Sequence, residues 1–290
     1  MTVVHGTRLR SCEPDAIAEG VDGALGDADP EFAGRVVLVP DLHYPDHPST
    51  GTVTNPDTVS ALVDHLLESE AGVDHVEIAR AATAWSDDPS CATYLGYDGL
   101  VERSDVEYFD AADGPQVSRT VSVGEQETVV TAPERLLDRS LVVPTLRRRE
   151  EPTLAGCFDR LAAAALSRDP TAFEVNAFVA AADPVGALLD ATYSYAGAPR
   201  RTRTLLASTD PLEVERVAAY LLGLSRDALP TGAASDGRPA RVRGLDVREL
   251  ADELPNESID EGSPSALLKS GYRQYARLTG DQLPPQLMDR

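Results

Sequence analysis

Apolar runs of strand length alternate along this chain with stretches whose apolar residues recur every three or four positions. Residues 36–39 (VVLV) form a continuous run and read as a buried strand. Residues 56–69 follow, with Val59, Leu62, Val63, Leu66 and Leu67 on one helical face, Asn55 as the cap and Pro56 in the first turn. Residues 73–79 (VDHVEIA) alternate as a strand, residues 88–103 read as a helix, and residues 106–110 (VEYFD) read as a third strand. This β-α-β-α-β order predicts an α/β fold: a mostly parallel, doubly wound sheet with helices on both faces.

Residues 117–131 break the alternation. Two β-type runs flank Gly124 and Glu125, which predicts a small hairpin insertion. A short helix over 133–139 (PERLLDR) leads to a strand at 140–144 (SLVVP). Helices are expected near 152–167, 170–181 and 184–193, then a strand at 202–208 (TRTLLAS). A further helix is expected over 211–222, with Asp210 and Glu213 arranged as in a capping box. A capping residue stands before proline at Asn55, Asp88, Asp169, Asp183 and Asp210, and each such pair reads as a helix start.

The character changes after Pro230, where Gly, Pro, Asp and Glu dominate through residue 264, with a short helix expected at 246–253. Residues 264–279 then place Leu267, Leu268, Tyr272, Tyr275 and Leu278 on one side of a final helix. The expected organisation is an α/β domain over 1–230, a flexible acidic connector over 231–262, and a docked helix and tail over 263–290.

Charge sharpens this picture. The chain carries 48 acidic and 26 basic residues, a net charge of −22, and Lys269 is its one lysine. Such a surface implies a salt-adapted cytosol. At molar salt the Debye length falls to about 3 Å, and the self-repulsion of a strongly charged chain weakens. Arginine, in turn, makes forked pairs with carboxylates. A merely acidic protein from a moderate environment is the other reading. The acidity argues against nucleic acid as a partner, since no broad basic face is available to replace counterions. Cys12, Cys91 and Cys157 are odd in number and far apart. They offer no disulfide framework and no iron–sulfur spacing, so no cofactor is expected. Residues 1–15 contain no apolar signal core, and no run reaches the roughly 18 apolar residues of a membrane span. The expectation is a cytoplasmic protein without a membrane partner.

Candidate chemistry gathers in residues 41–56 (DLHYPDHPSTGTVTNP), which join a strand end to a helix start. In parallel sheets ligands bind at this edge, and the free amides of a helix start favour anions. Three readings stand: a metal site on Asp41, His43, Asp46 and His47; a rigid loop lining a pocket; a connector stiffened by proline. Pro45 and Pro48 break the helix that would align two imidazoles, so no metal is expected. Arg147, Arg148 and Arg149 follow the strand at 140–144 and are expected at the same edge. They either share an anion pocket with the loop and the helix starts near Pro56 and Pro152, or pair with Glu150 and Glu151 at the surface. Arg200, Arg201 and Arg203 precede their strand and are expected at the opposite edge in a structural role. His65 and His75 read as surface or packing residues, Cys157 as core, and Trp85 as a pocket cover or a loop anchor. The chain contains no nucleophile elbow, phosphate loop, dinucleotide fingerprint or zinc-protease motif.

Four blocks resemble the domain-of-unknown-function family 362. The first, over residues 36–68, matches at Val37, Leu38, Val39, Pro40, Asp41, Leu42, Thr54, Asn55 and Pro56. Gly96, Tyr97 and Leu100 fit a second block, residues 136–146 (LLDRSLVVPTL) a third, and Ser208, Asp210, Pro211 and Gly223 a fourth. The blocks run in order over about residues 10–225. The chain departs from the family pattern where a lysine is usual before Pro40, where asparagine is usual at Asp41, and where lysines, threonine and histidine are usual at 145–149. Cys157 and Phe158 stand where the family has a Lys-Asn pair. The resemblance implies the α/β fold and a pocket at the sheet edge. Ferredoxin-like segments carried by many relatives have no counterpart here.

Together these readings lead to the expectation of a small anionic ligand held by Asp41, His43, Thr54, Asn55, Arg147, Arg148 and Arg149, without catalysis being required. Two alternatives remain. One is an enzyme acting on an acidic metabolite, with His43 as acid/base and Asp41 orienting it. The other is an interaction module that uses the acidic C-terminal region.

Overall fold

The run at 36–39 forms the middle of a mixed sheet because its alternate side chains enter two different cores. Val36 and Leu38 pack on one side, Val37 and Val39 on the other, and all four are buried. A strand covered on both faces has no polar side, hence the unbroken apolar run.

The computed structural model describes residues 2–28, 30, 32–42, 46–68, 72–79, 90–111, 114–148, 154–225 and 241–254. In chain order its first elements are β1 (Val3–Arg8), α1 (Pro14–Ala28), β2 (Gly34–Pro40), α2 (Pro56–Glu68) and β3 (Val73–Ala79). Next come α3 (Ser90–Tyr94), α4 (Asp98–Val101), β4 (Val106–Phe109), β5 (Gln116–Val123), β6 (Gln126–Pro133) and α5 (Glu134–Asp138). β7 (Ser140–Val143), β8 (Thr145–Arg147), α6 (Cys157–Leu166), α7 (Ala172–Ala181), β9 (Gly186–Tyr195) and β10 (Pro199–Ser208) follow, then α8 (Pro211–Leu221), β11 (Arg241–Arg243) and α9 (Val247–Glu253).

The sheet order is β11-β1-β10-β9-β7-β2-β3-β4, with β8 also paired to β9. β4, β3, β2, β7 and β9 run parallel. β10 is antiparallel to both of its neighbours, β9 and β1, so β1 and its parallel partner β11 point the same way as the main set. Residues of α1 and α2 pack against Val36 and Leu38, while residues of α5, α6, α7 and α8 pack against Val37 and Val39. The fold is therefore α/β with helices on both faces. β5 and β6 form a separate antiparallel hairpin turning at Gly124, whose φ of +60° suits the tight turn.

Several expectations change. Residues 184–193 are not a helix: β9 occupies 186–195, and its first seven residues are all buried. Burial on both faces removes the alternation that marks a strand, and the run GALLDA then imitates a helix. The helix expected at 88–103 is two short ones, α3 and α4, with Gly96 between them at φ +81°. The cap of α7 is Thr171, in a reciprocal capping box with Glu174, rather than Asp169. Asn55 and Asp210 cap α2 and α8 as their sequence predicts. β1 and α1 add an N-terminal strand and helix to the predicted set. Within the 231–262 segment, β11 pairs with β1 and α9 buries Leu250 against the core. The final helix expected at 264–279 lies outside the described residues. No helix among the described residues is long and apolar enough to cross a membrane.

Candidate functional site

Parallel order brings the C-terminal ends of β2, β7, β8 and β9 to one rim. Asp41 leaves β2 there and is completely buried. Its backbone N–H donates to Thr54 Oγ1 at 2.8 Å, and the Thr54 N–H donates back to the Asp41 carbonyl at 3.1 Å. The Thr54 hydroxyl donates to the Val143 carbonyl at 2.7 Å, tying the start of α2 to the end of β7. The Asp41 carboxylate accepts the Thr145 N–H at 3.0 Å on Oδ2. Arg160 Nη1 lies 3.1 Å from Oδ1, and Arg147 Nε lies 3.9 Å from Oδ2. Arg160 also bonds Asp159 through Nε at 2.9 Å and through Nη2. Two guanidinium groups thus meet two carboxylates inside the protein, which is the condition for keeping charge out of water. Burial works against the charge on Arg160, but Asp159 and Asp41 outweigh it and raise its pKa above the ordinary arginine value.

A second acid sits beside this group. Asp190, on β9, is buried and accepts the Asn55 N–H at 2.6 Å and the Thr192 N–H at 2.8 Å. Burial pushes its carboxyl up to about 6, against the pull of those two amides. The Tyr97 hydroxyl is buried in the field of Asp190 and makes no hydrogen bond among the described residues. Burial, with Asp190 adding to it, holds that phenol well above its usual value.

The second arginine run corrects its expected position. Because β10 is antiparallel, its first residues lie beside the C-terminal end of β9, so Arg200, Arg201 and Arg203 join the same rim rather than the opposite one. Between Arg201 and Thr204 two residues of β10 face one of β9, a bulge, and Arg203 there adopts φ +50°. Arg201 stacks on the Tyr193 ring at 5.7 Å. A cleft of about 160 Å³ opens between residues 10–13 on one side and Tyr193, Arg201 and Arg203 on the other. Thr192 connects the cleft to the Asp190 group: its carbonyl accepts the Cys12 thiol at 3.6 Å, and its hydroxyl accepts Asn55 Nδ2 at 3.5 Å.

Of the residues singled out from the sequence, Asp41, Thr54, Asn55 and Arg147 therefore come together. Arg148 is half-buried, and its N–H donates to the Tyr195 carbonyl at 2.8 Å. His43, Trp85, Arg149 and Pro152 lie outside the described residues. Asp46 accepts the Thr52 hydroxyl at 2.8 Å, and exposed His47 caps a single 3-10 turn over Pro48–Thr50. No group of three potential metal ligands is present among the described residues. His65 and His75 face Asp22 and Glu107 at 2.7 and 3.1 Å. Sequence reasoning missed Asp190, Arg160 and Tyr193 and misplaced Arg201 and Arg203. The pattern TYSYAGAP (192–199), with alternating β-formers and then glycine, was the available sign of a β9–β10 hairpin.

No curated protein and no solved structure matches the chain. The profile of the family described as Domain of unknown function (DUF362) matches residues 36–220, from β2 into α8 and more than half of the chain, and the chain belongs to that family.

Proposed function

We propose that the protein binds a small anionic molecule at the C-terminal rim of its sheet. One observation carries the reading: Arg200, Arg201 and Arg203 stand together at that rim and take part in no ion pair among the described residues. In a chain with 48 acidic residues, three near-consecutive arginines that meet no carboxylate among the described residues are the unexpected arrangement. The start of α2, with its amide dipoles, lies next to them through Asn55 and Thr192. Arg147, by contrast, faces Asp41 inside the rim and serves the scaffold. We further propose a cytoplasmic location in a salt-adapted cell, supported by the charge of −22.

The test is a thermal-shift titration of phosphates and organic acids in molar KCl. A ligand at a hundred times its Kd adds about 2.7 kcal/mol of stability, so a rise in Tm that saturates with one anion class is expected. A flat response to every anion overturns the proposal.

A second reading, an enzyme acting on an acidic metabolite at the same edge, is favoured by Asp190. A carboxyl held at about 6 exchanges protons near neutral pH. Under this reading Asp190→Asn abolishes turnover while ligand binding survives.

A further inference from the structure

We infer that the cleft between the turn at residues 10–13 and the start of β10 is the anion site, and that its ligand is a compact dianion carrying carboxylate or phosphate oxygens. The inference rests on the rim reading above and adds the place and the ligand class. Size comes first. About 160 Å³ is the space of roughly five waters, well short of the roughly 300 Å³ at which drug-sized sites begin. A molecule of a few heavy atoms fits within it.

Charge sets the class. Arg10 is held by Glu19 at 3.1 Å, whereas Arg201 and Arg203 have no ion pair among the described residues. One carboxylate, Glu13, also lines the cleft and is outnumbered by these two guanidinium forks, whose geometry suits planar carboxylate or tetrahedral phosphate oxygens. Burial raises the Cys12 thiol, against the pull of the Tyr193 hydroxyl and of Arg201 and Arg203. Held toward the thiol form, it adds no negative charge to the cleft.

The backbone points the same way. Arg203 is one of two non-glycine residues with positive φ among the described residues. A left-handed conformation costs an ordinary residue about 1–2 kcal/mol. Glycine would remove that strain at no steric cost, and the chain keeps arginine. Strain retained at a bulge, on a side chain lining a cleft, is the pattern of a functional position.

The experiment uses the full chain at one fixed KCl concentration, with inorganic phosphate, malonate and acetate as probes. Binding is read by calorimetry and by the alkylation rate of Cys12. Cys91 and Cys157 are buried and serve as unreactive references. Phosphate or malonate is expected to bind more tightly than acetate and to slow Cys12 alkylation, and the tighter of the two identifies the anionic group. Arg201→Gln and Arg203→Gly are each expected to weaken that binding by about tenfold, the worth of one charged hydrogen-bond partner. Arg203→Gly also keeps the bulge geometry, so its Tm should not fall. If dianions bind both variants as they bind the parent and leave Cys12 alkylation unchanged, the site is elsewhere on the rim: this inference fails and the rim reading stands. If acetate binds as well as malonate and phosphate, the dianion class is wrong. If none of the three binds, both readings fall.

Discussion

Arg160 Nη1 stands 3.1 Å from Asp41 Oδ1, with both side chains out of solvent. Arg160 also holds Asp159, so removing the arginine takes a partner from two buried carboxylates, which costs about 3–5 kcal/mol in comparable pairs. Arg160→Met is expected to lose that much in urea denaturation, and combining it with Asp41→Asn and Asp159→Asn should recover part of it. A single variant within about 1 kcal/mol of the parent shows that the pair does not balance the buried charge.

Acidity gives a second handle, through Asp190. Its folded-state pKa of about 6 lies above the ordinary 3.8, so the folded protein favours the protonated form. That contribution is fully present below about pH 4 and is lost as pH rises through 6, amounting to about 3 kcal/mol. Measured from pH 4 to 7, the stability of the parent relative to Asp190→Asn is expected to decline across that window and then level off. A constant difference removes the claim that Asp190 titrates there.

A third expectation concerns Gly51, at φ +67°, where an added Cβ would lie 2.3 Å from the Ser194 carbonyl carbon. Gly124 has a similar φ of +60° but open space around it. Gly124→Ala should therefore cost only the backbone penalty, about 1–2 kcal/mol. Gly51→Ala should cost measurably more, because the turn after Pro48–Thr50 must move off β9. Equal losses in Tm show that the contact at Ser194 gives way freely.

Salt provides the fourth. With a net charge of −22, the folded chain repels itself in dilute buffer and much less at molar KCl. Its Tm is expected to climb steadily with KCl. Identical values at both extremes contradict adaptation to salt.

The outcome along the chain separates what local pattern encodes from what pairing decides. β2, α2 and β3 are legible because their apolar residues sit at the period of the element they form, and the caps at Asn55 and Asp210 mark helix starts in the sequence itself. The meeting of Asp41 with Arg147 follows from parallel order alone, since each leaves a strand at the same end. β9 was hidden because both its faces are covered. Nothing in TRTLLAS states which way β10 runs. Its direction comes from pairing back on β9, and that reversal carries Arg201 and Arg203 to the rim. Arg160, in the run DRLAAAA (159–165), resembles an ordinary surface charge until α6 is set against Asp41.

The place of β1 between β10 and β11 bears on how the molecule is born. His5 aligns with Ala207, roughly 200 residues later in the chain. At synthesis rates of about 5–20 residues per second, the first strand waits on the order of 10–40 s for its partner to be made. Until then both hydrogen-bonding edges of Val3–Arg8 lie open, and that waiting segment is where assistance by a chaperone, or a wrong partner, would first take hold.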